Sequence, residues 1–596
     1  MIIRKEPSES ARFPLNWRLV GLVLVTSLIL MTVTLLIKNV NLPSPIMGPD
    51  EYAYFSQSRE FPRTEALYTY DPTNARSHNI TYFSLARPLW KFTVDPALSM
   101  KVLQTVLYAL TILLFYSLCR RFLTMRKSAV CAFLLMISAL SSYTAYFMPE
   151  TLYIFFLFLM LAFSMSQFKR PFICALSIGL FAAVLTLTKP HGIAIFVAAG
   201  LTWSIVFAFP RLIDITRATA AHCLAILVGG YVTGLISLNA VLTGRIPSSP
   251  LRLLGDGYVG FWASRPKAFA SMTDVLTTIV GNGIAIALLI GFPIIYFAFW
   301  IASCRGSMDE TFLKERAKLI FLCIFATSIF GTSVAMTVHF TSQVGGDEIW
   351  RIHGRYYSYV VPLFFLLMFV AEGQRPDSMS DRHAWTYRLV ALGGFALLIA
   401  VQFCWRTNYI IVPWDFPELF ALSHWDWSHR ARDLGSVILL SGAGFLVAML
   451  VRPRASVTLF VCFFSVLSSA SLVQTTRWQF AHGRGLSPYA DIAVAIRTLI
   501  PQDKLDKGVI VGTDRGSLSY VVVNLRSKSR VDVPPIGTVV DQNRIGKADW
   551  ALVDRSFRVA AEGAHKALSG EKFDFWLLRD IPPFLFHGPD KKTTGH

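Results

Sequence analysis

The chain has little charge and almost none of the chemistry that cysteine supplies. Only 16% of its 596 residues are charged, against 54% hydrophobic. That balance describes a polytopic helical membrane protein with a soluble part, and no nucleic-acid partner is expected. Eight cysteines occur, all in apolar runs or at their cytoplasmic ends, with none in the tail and no CxxC spacing. A disulfide framework and a zinc site are therefore not expected. The tail also lacks a nucleophile elbow, a Walker loop and a GxGxxG turn. Internal repeats and charges at span centres, both expected of a transporter, are missing as well. A cleavable signal peptide is excluded too. The first apolar run is too long for one, and Ile37-Lys38-Asn39 offers no small-residue cleavage site.

What is present is a series of apolar runs. Leu19 to Ile37 alone is long enough to cross a hydrocarbon core about 30 Å thick. A charge at a span centre costs about 2.5–3.5 kcal/mol, which sets the span boundaries. Thirteen spans are expected, at 19–37, 99–119, 129–147, 151–168, 171–188, 193–209, 219–242, 275–301, 319–340, 356–371, 389–405, 434–451 and 456–474. The basic clusters around Arg12, Arg120, Lys169, Arg211, Lys314, Arg382 and Arg452 all fall on one side of that arrangement. By the positive-inside rule that side is the cytoplasm. Residues 1–18 are then cytoplasmic, and the protein is expected in the plasma (inner) membrane with its C-terminus extracytoplasmic.

The opposite face carries the long loops, at 38–98, 243–274, 341–355 and 406–433. They are longer than bare connections require, and such loops usually carry function. They are also basic, against the orientation rule, and an anionic ligand is the economical explanation. Within the membrane region 19–474 they form the candidate catalytic surface. Residues 475–596 read as a small α/β domain. Tyr489 to Ile500 is expected as an amphipathic helix. Gly508–Gly512, Tyr520–Val523, Trp550–Val553 and Phe573–Leu578 are expected as strands. Asn79-Ile80-Thr81 is a formal glycosylation sequon, given no weight because such three-residue matches are frequent by chance.

Four groups of chemically capable residues converge on the loop face. Asp50 and Glu51, in Gly48-Pro49-Asp50-Glu51, follow the first span. An acidic pair there can act as a general base, a metal ligand or a hydroxyl acceptor, or it can simply cap a short helix. Glu150 sits in the turn between the third and fourth spans, as a helix-capping acid or a partner for a substrate hydroxyl or for Lys189. Lys189 and His191, in Lys189-Pro190-His191-Gly192, follow an uncharged run. A lysine so close to hydrocarbon faces a partner or cavity, or snorkels to lipid phosphates. Arg355 and Tyr356 open the tenth span, where a guanidinium beside a helix N-terminus makes a phosphate clamp. Arg87 and Lys91 lie near the lipid surface before the second span, able to hold a lipid-borne phosphate or to anchor the helix.

Pro49-Asp50-Glu51-Tyr52, Met148-Pro149-Glu150, Thr188-Lys189-Pro190-His191-Gly192, Gly354-Arg355-Tyr356 leading into Pro362, and the terminal soluble domain together resemble the GT-C superfamily of membrane glycosyltransferases. The likeness covers roughly residues 15–370 and is greatest to the transferases that take aminoarabinose or mannose from a polyprenyl phosphate. The resemblance implies a polyprenyl-phosphate sugar donor and a cell-envelope glycan, lipid or protein acceptor. It implies that Asp50, beside Glu51, is the catalytic base or metal-binding acid, with a divalent cation (Mg2+, Mn2+ or Ca2+) as an open question. It implies that later basic loop residues, here Lys189 and Arg355, hold the donor phosphate. A transporter or flippase of an anionic lipid-linked sugar, and a polysaccharide polymerase or ligase, are the alternatives.

Overall fold

Backbone amides in hydrocarbon have no water to bond, so uncharged runs of this length close their hydrogen bonds internally as helices. The structure, a computed structural model, describes residues 17–42, 49–61, 79–93, 95–244, 271–304, 310–344, 346–373, 392–423, 429–451, 455–501, 504–513, 529–536, 538–561, 564–569 and 573–578, with Leu518, Val521, Val522 and Leu525. Two units emerge. One takes the described residues of Met1–Asn41 and Ala75–Gln479, the other those of Leu42–Asn74 and Phe480–His596.

The first unit begins with α1 (Trp17–Val40); α2 (Pro49–Glu60) belongs to the second. The first continues with α3 (Ile80–Phe92), α4 (Pro96–Cys119), α5 (Met125–Ile137), α6 (Glu150–Ser166), α7 (Pro171–Thr188), α8 (Ile193–Ala208) and α9 (Arg217–Thr243). Eight of the described helices are long and apolar enough to cross a membrane, and α5 with the 3-10 segment Ala139–Ala145 makes a ninth bent by 49°. Shorter apolar helices cover Glu150–Ser166, Ser358–Gly373 and Val437–Ala448. The expected span at 389–405 lies partly outside the described residues; helix and a π turn occupy Leu392–Trp405.

Two expected spans are not continuous α-helices. The run 129–147 is not one helix. It breaks at Ser138, which is extended and accepts a hydrogen bond from the Leu140 amide through its side chain. The run 356–371 becomes α-helix only from Val361, after 3-10 turns at Gly354–Tyr356 and Ser358–Val360. Asn79 of the sequon is buried, and its Nδ2 donates to the Thr188 carbonyl at 2.9 Å. Its role is to close the C-terminal end of α7.

Helices α7 and α9 approach closely because small residues line their contact. A Cβ at Gly179 would overlap the Leu227 carbonyl and come within 3.0 Å of the Tyr231 amide. A Cβ at Gly234 would come within 2.9 Å of the Ala183 methyl. Small residues are the usual means of bringing backbones together where lipid removes the hydrophobic drive.

The second unit holds a five-stranded sheet in the order β2-β1-β4-β7-β6, where β1 is Gly508–Val511, β2 Arg530–Asp532, β4 Trp550–Asp554, β6 His565–Ser569 and β7 Phe573–Leu577. Strand β1 runs parallel to β2 and β4, while β7 is antiparallel to β4 and β6. A separate parallel pair joins β3 (Val539–Asp541) and β5 (Arg558–Ala560). Val509, Val511, Ala551 and Val553 alternate onto one buried face with Val540, Ile545 and Phe557. The strand expected at Tyr520–Val523 is corrected. Leu518, Val521, Val522 and Leu525 are helical and buried, at a spacing that places them on one helix face. Parallel β1 and β2 need a crossover, and a crossover helix outweighs the β preference of three consecutive valines. The expected helix Tyr489–Ile500 proves to be the end of one 44-residue helix, Ser456–Leu499, that starts in the last apolar span.

The α7–α9 contact yields a stability test. Gly179→Leu should lower stability by about 1–3 kcal/mol through overpacking. Gly229→Ala, on the same α9 with no atom within 4 Å of the added methyl, should be neutral or gain up to about 1 kcal/mol. Thermal unfolding of the detergent-solubilised protein, followed by tryptophan fluorescence, compares the two.

Candidate active site

Helix α7 runs uncharged from Pro171 to Thr188 and stops at Lys189, whose backbone is extended (φ −152°, ψ 129°). Pro190 then starts a 3-10 turn, Pro190–Gly192, that leads into α8. Helix α6 begins at Glu150, directly after Pro149, so its acid lies where free amide donors favour negative charge. These two helix ends meet. Lys189 Nζ stands 2.9 Å from Glu150 Oε1, and both side chains are almost fully buried.

A narrow cleft opens beside the pair, lined by Tyr143, Glu150, Lys189, His191, Arg355 and Tyr356 among others. Tyr356 is its centrepiece. The His191 ring stacks on it at 3.8 Å with an interplanar angle of 5°. Lys189 Nζ lies 4.5 Å from its ring centroid and the Arg355 guanidinium 5.0 Å. Arg355 also donates through Nη2 to the Tyr356 hydroxyl at 3.0 Å. Two cations and an imidazole thus converge on one aromatic ring, an arrangement suited to a substrate bearing negative charge and a polar, ring-shaped group.

A second layer of charge lies behind Arg355. The segment after Trp405 returns to the turn that carries the arginine: Ile352 donates to the Ile410 carbonyl at 3.0 Å, and Ile410 to that of Trp350 at 2.8 Å. That places Asp415, fully buried, against Arg351 Nε and 3.1 Å from Arg355 Nε. Glu348 pairs with Arg351 Nη1 at 2.8 Å and stands 2.9 Å from His353 Nε2. Its hydrogen bond to His353, together with the charge of Arg351, holds its carboxyl down at about 2 despite partial burial. Gly354 is required where it stands, because a Cβ would overlap the Phe416 ring. Glu418 follows in the 3-10 turn Pro417–Leu422 and is buried. Burial pushes its carboxyl up to about 7, against the lowering pull of its own backbone amide and the Ser358 hydroxyl.

Among the residues expected from the sequence, Glu150, Lys189, His191, Arg355 and Tyr356 come together in this cleft. Arg355 reaches it differently from the expectation. It lies in a three-residue 3-10 turn, before the α-helix that starts at Val361, so no helix N-terminus assists it. Arg87 and Lys91 lie on α3 and do not line the cleft; Lys91 is exposed. Asp50 and Glu51 lie in the first turn of α2, in the second unit, with Glu51 buried; the Asp50 side chain lies outside the described residues. Among the described residues no group of three or more His, Cys, Asp or Glu side chains could share a metal ion. Asp415 and Glu418 were not singled out by sequence reasoning. The available signal was a pair of acids set among apolar residues in Val412-Pro413-Trp414-Asp415-Phe416-Pro417-Glu418-Leu419.

No protein-family model and no curated protein sequence matches the chain. Solved structures do. ArnT from Cupriavidus metallidurans bound to undecaprenyl phosphate superposes with a TM-score of 0.51 at 15% identity, over 94% of this chain and 98% of that one. The same ArnT in the apo state gives 0.47 at 14% identity, over 93% and 98% of the two chains. The archaeal oligosaccharyltransferase AglB from Archaeoglobus fulgidus gives 0.42 at 13% identity, over 90% and 69%. At these identities the likeness to ArnT is one of fold. The chain shares the polytopic helical fold of that ArnT and has a small strand-containing C-terminal region.

Two outcomes follow from the buried charges. Glu150→Ala strands the Lys189 ammonium and should cost about 3–5 kcal/mol, most of it recovered in a Glu150→Ala/Lys189→Met double variant. Thermal unfolding of the set measures this. Glu418 binds a proton in the folded state over the range where the unfolded chain has lost it. Stability should therefore fall as pH rises from about 4.5 to about 7 and then level off. Glu418→Gln should remove that slope and unfold at higher temperature than the parent at pH 8, by an amount on the order of 3 kcal/mol. A parallel pH dependence in both proteins would refute the assignment.

Proposed function

We propose that the protein is a membrane glycosyltransferase that moves a sugar from a polyprenyl-phosphate-linked donor to a cell-envelope glycan, lipid or protein acceptor, with inversion at the anomeric carbon. The observation that carries this reading is the buried cluster of Lys189, Arg355 and His191 around Tyr356, at one end of an apolar helix bundle. Support comes from the fold, shared with an ArnT that was captured with undecaprenyl phosphate. The cluster suits a phosphate borne on lipid: two basic groups converge in a dry site. The proposed side of the membrane is the extracytoplasmic one, opposite the short basic loops that the positive-inside rule assigns to the cytoplasm.

In the proposed reaction an acceptor hydroxyl gives its proton to a general base, the role that the family resemblance implies for Asp50, while its oxygen attacks the anomeric carbon. The bond from that carbon to the phosphate oxygen breaks, and its electron pair leaves with the lipid phosphate. Lys189 and Arg355 stabilise the charge that develops there. Preorganised cations are worth most in a water-excluded site. His191 and Tyr356 hold the sugar-phosphate in place, and Glu150 keeps Lys189 extended toward the cleft. A single displacement with one base and no covalent sugar intermediate gives inversion. Asp50 and Glu51 are the residues that would hold a divalent cation, which would add positive charge near the leaving group. The described residues supply no third ligand, and no step is drawn through a metal.

The test is transfer of radiolabelled sugar from polyprenyl-phosphate donors in membranes. Asp50→Asn should reduce turnover about 10²–10⁴-fold with donor binding retained. Lys189→Gln and Arg355→Gln should weaken binding of undecaprenyl phosphate. Full turnover by the Asp50 variant would remove the base from this scheme. Undiminished lipid-phosphate binding by both cation variants would remove the site.

A further inference from the structure

Arg355 is held from behind by a residue that does not line the cleft. Asp415 is fully buried, its Oδ1 lies 3.1 Å from Arg355 Nε, and its backbone carbonyl accepts the Arg355 amide hydrogen and, at 3.5 Å, the Tyr143 hydroxyl. Its position does not rest on the Arg355 side chain alone. It is set by the backbone bridge between Arg351 and Ile410 and by the packing of Phe416 on Gly354. Nor is Asp415 the sole anion for Arg351, because Glu348 pairs with that guanidinium at 2.8 Å. On Arg355 the carboxylate forms an ion pair beside Nε, without hydrogen-bond alignment, while Nη2 meets the Tyr356 hydroxyl at 3.0 Å inside the cleft.

We infer that Asp415 is a positioning residue that presets the Arg355 guanidinium for the phosphate of the lipid-linked donor. The inference rests on the proposed reading of the cleft and adds a residue to it. A free arginine side chain loses rotamer freedom when it clamps an anion; one already held by an ion pair loses far less, and the difference appears as affinity. Charge attraction to Asp415 and the Nη2 bond to the Tyr356 hydroxyl together restrict how the planar guanidinium can turn.

A double-mutant cycle on the full-length protein in lipid nanodiscs tests this, with undecaprenyl monophosphate as the probe and thermal unfolding recorded in parallel. Asp415→Asn should weaken probe binding about tenfold in the parent, and no more than about twofold when Arg355 is already Gln. Asp415→Glu keeps the charge but pushes it forward by one methylene. It should show the same dependence on Arg355, and it carries the test if the Asn variant does not fold. Equal losses with and without Arg355 would overturn the inference and leave Asp415 a purely structural residue. If Arg355→Gln alone leaves probe binding unchanged, the phosphate reading of the cleft fails, and this inference with it. That outcome is told apart from the first by the silent arginine variant.

Discussion

A charge at the end of an apolar helix needs an opposite charge within reach, and the pairing of Lys189 with Glu150 at 2.9 Å is how this fold meets that demand. The desolvation of such a pair consumes most of its Coulombic gain, so it adds little net stability. What it does is constrain. The C-terminal end of α7 and the N-terminal end of α6 must meet, because parting them would leave an uncompensated ion in a dry setting. The cleft exists where those two ends meet, and its other polar groups are arranged around that point.

The second constraint is the tie between the turn that carries Arg355 and the segment that follows Trp405. Three basic side chains, Lys189, Arg351 and Arg355, are matched by three carboxylates, those of Glu150, Glu348 and Asp415. The cations facing the cleft are therefore stable without a ligand, yet they are held rigidly enough to receive one. Gly354 and Phe416 make the tie steric as well as electrostatic. Glu418, buried in the same segment, has its carboxyl raised to about 7 by that burial.

Much of the cleft was legible in the sequence, for identifiable reasons. Lys189 follows an uncharged run of 18 residues, and Glu150 opens the helix before that run. Both stand out because charge at the rim of an apolar run is costly. Arg355 was found by the same logic but given the wrong local structure: its helix starts only at Val361. Arg87 and Lys91 carried the same signal as Lys189, yet their helix does not bring them to the cleft. Asp415 was missed because its partner Arg351 lies 64 positions away, joined to it through a single backbone bridge that has no local pattern. In the second unit the run around Val521 misled because β-branched residues favour strands locally, whereas parallel β1 and β2 demand a helix between them.

The sequence by itself determined the class of the protein, the ends of most apolar helices and the set of buried charges that would need partners. Those are local properties: hydrophobic transfer and desolvation act residue by residue along the chain, so composition and spacing record them. Only the tertiary structure decided which charge met which, that Tyr356 would be the surface on which His191, Lys189 and Arg355 converge, and that a distant aspartate would fix the arginine. Pairing in a low-dielectric interior depends on separations of a few ångströms between remote segments, and that information enters only when helices pack.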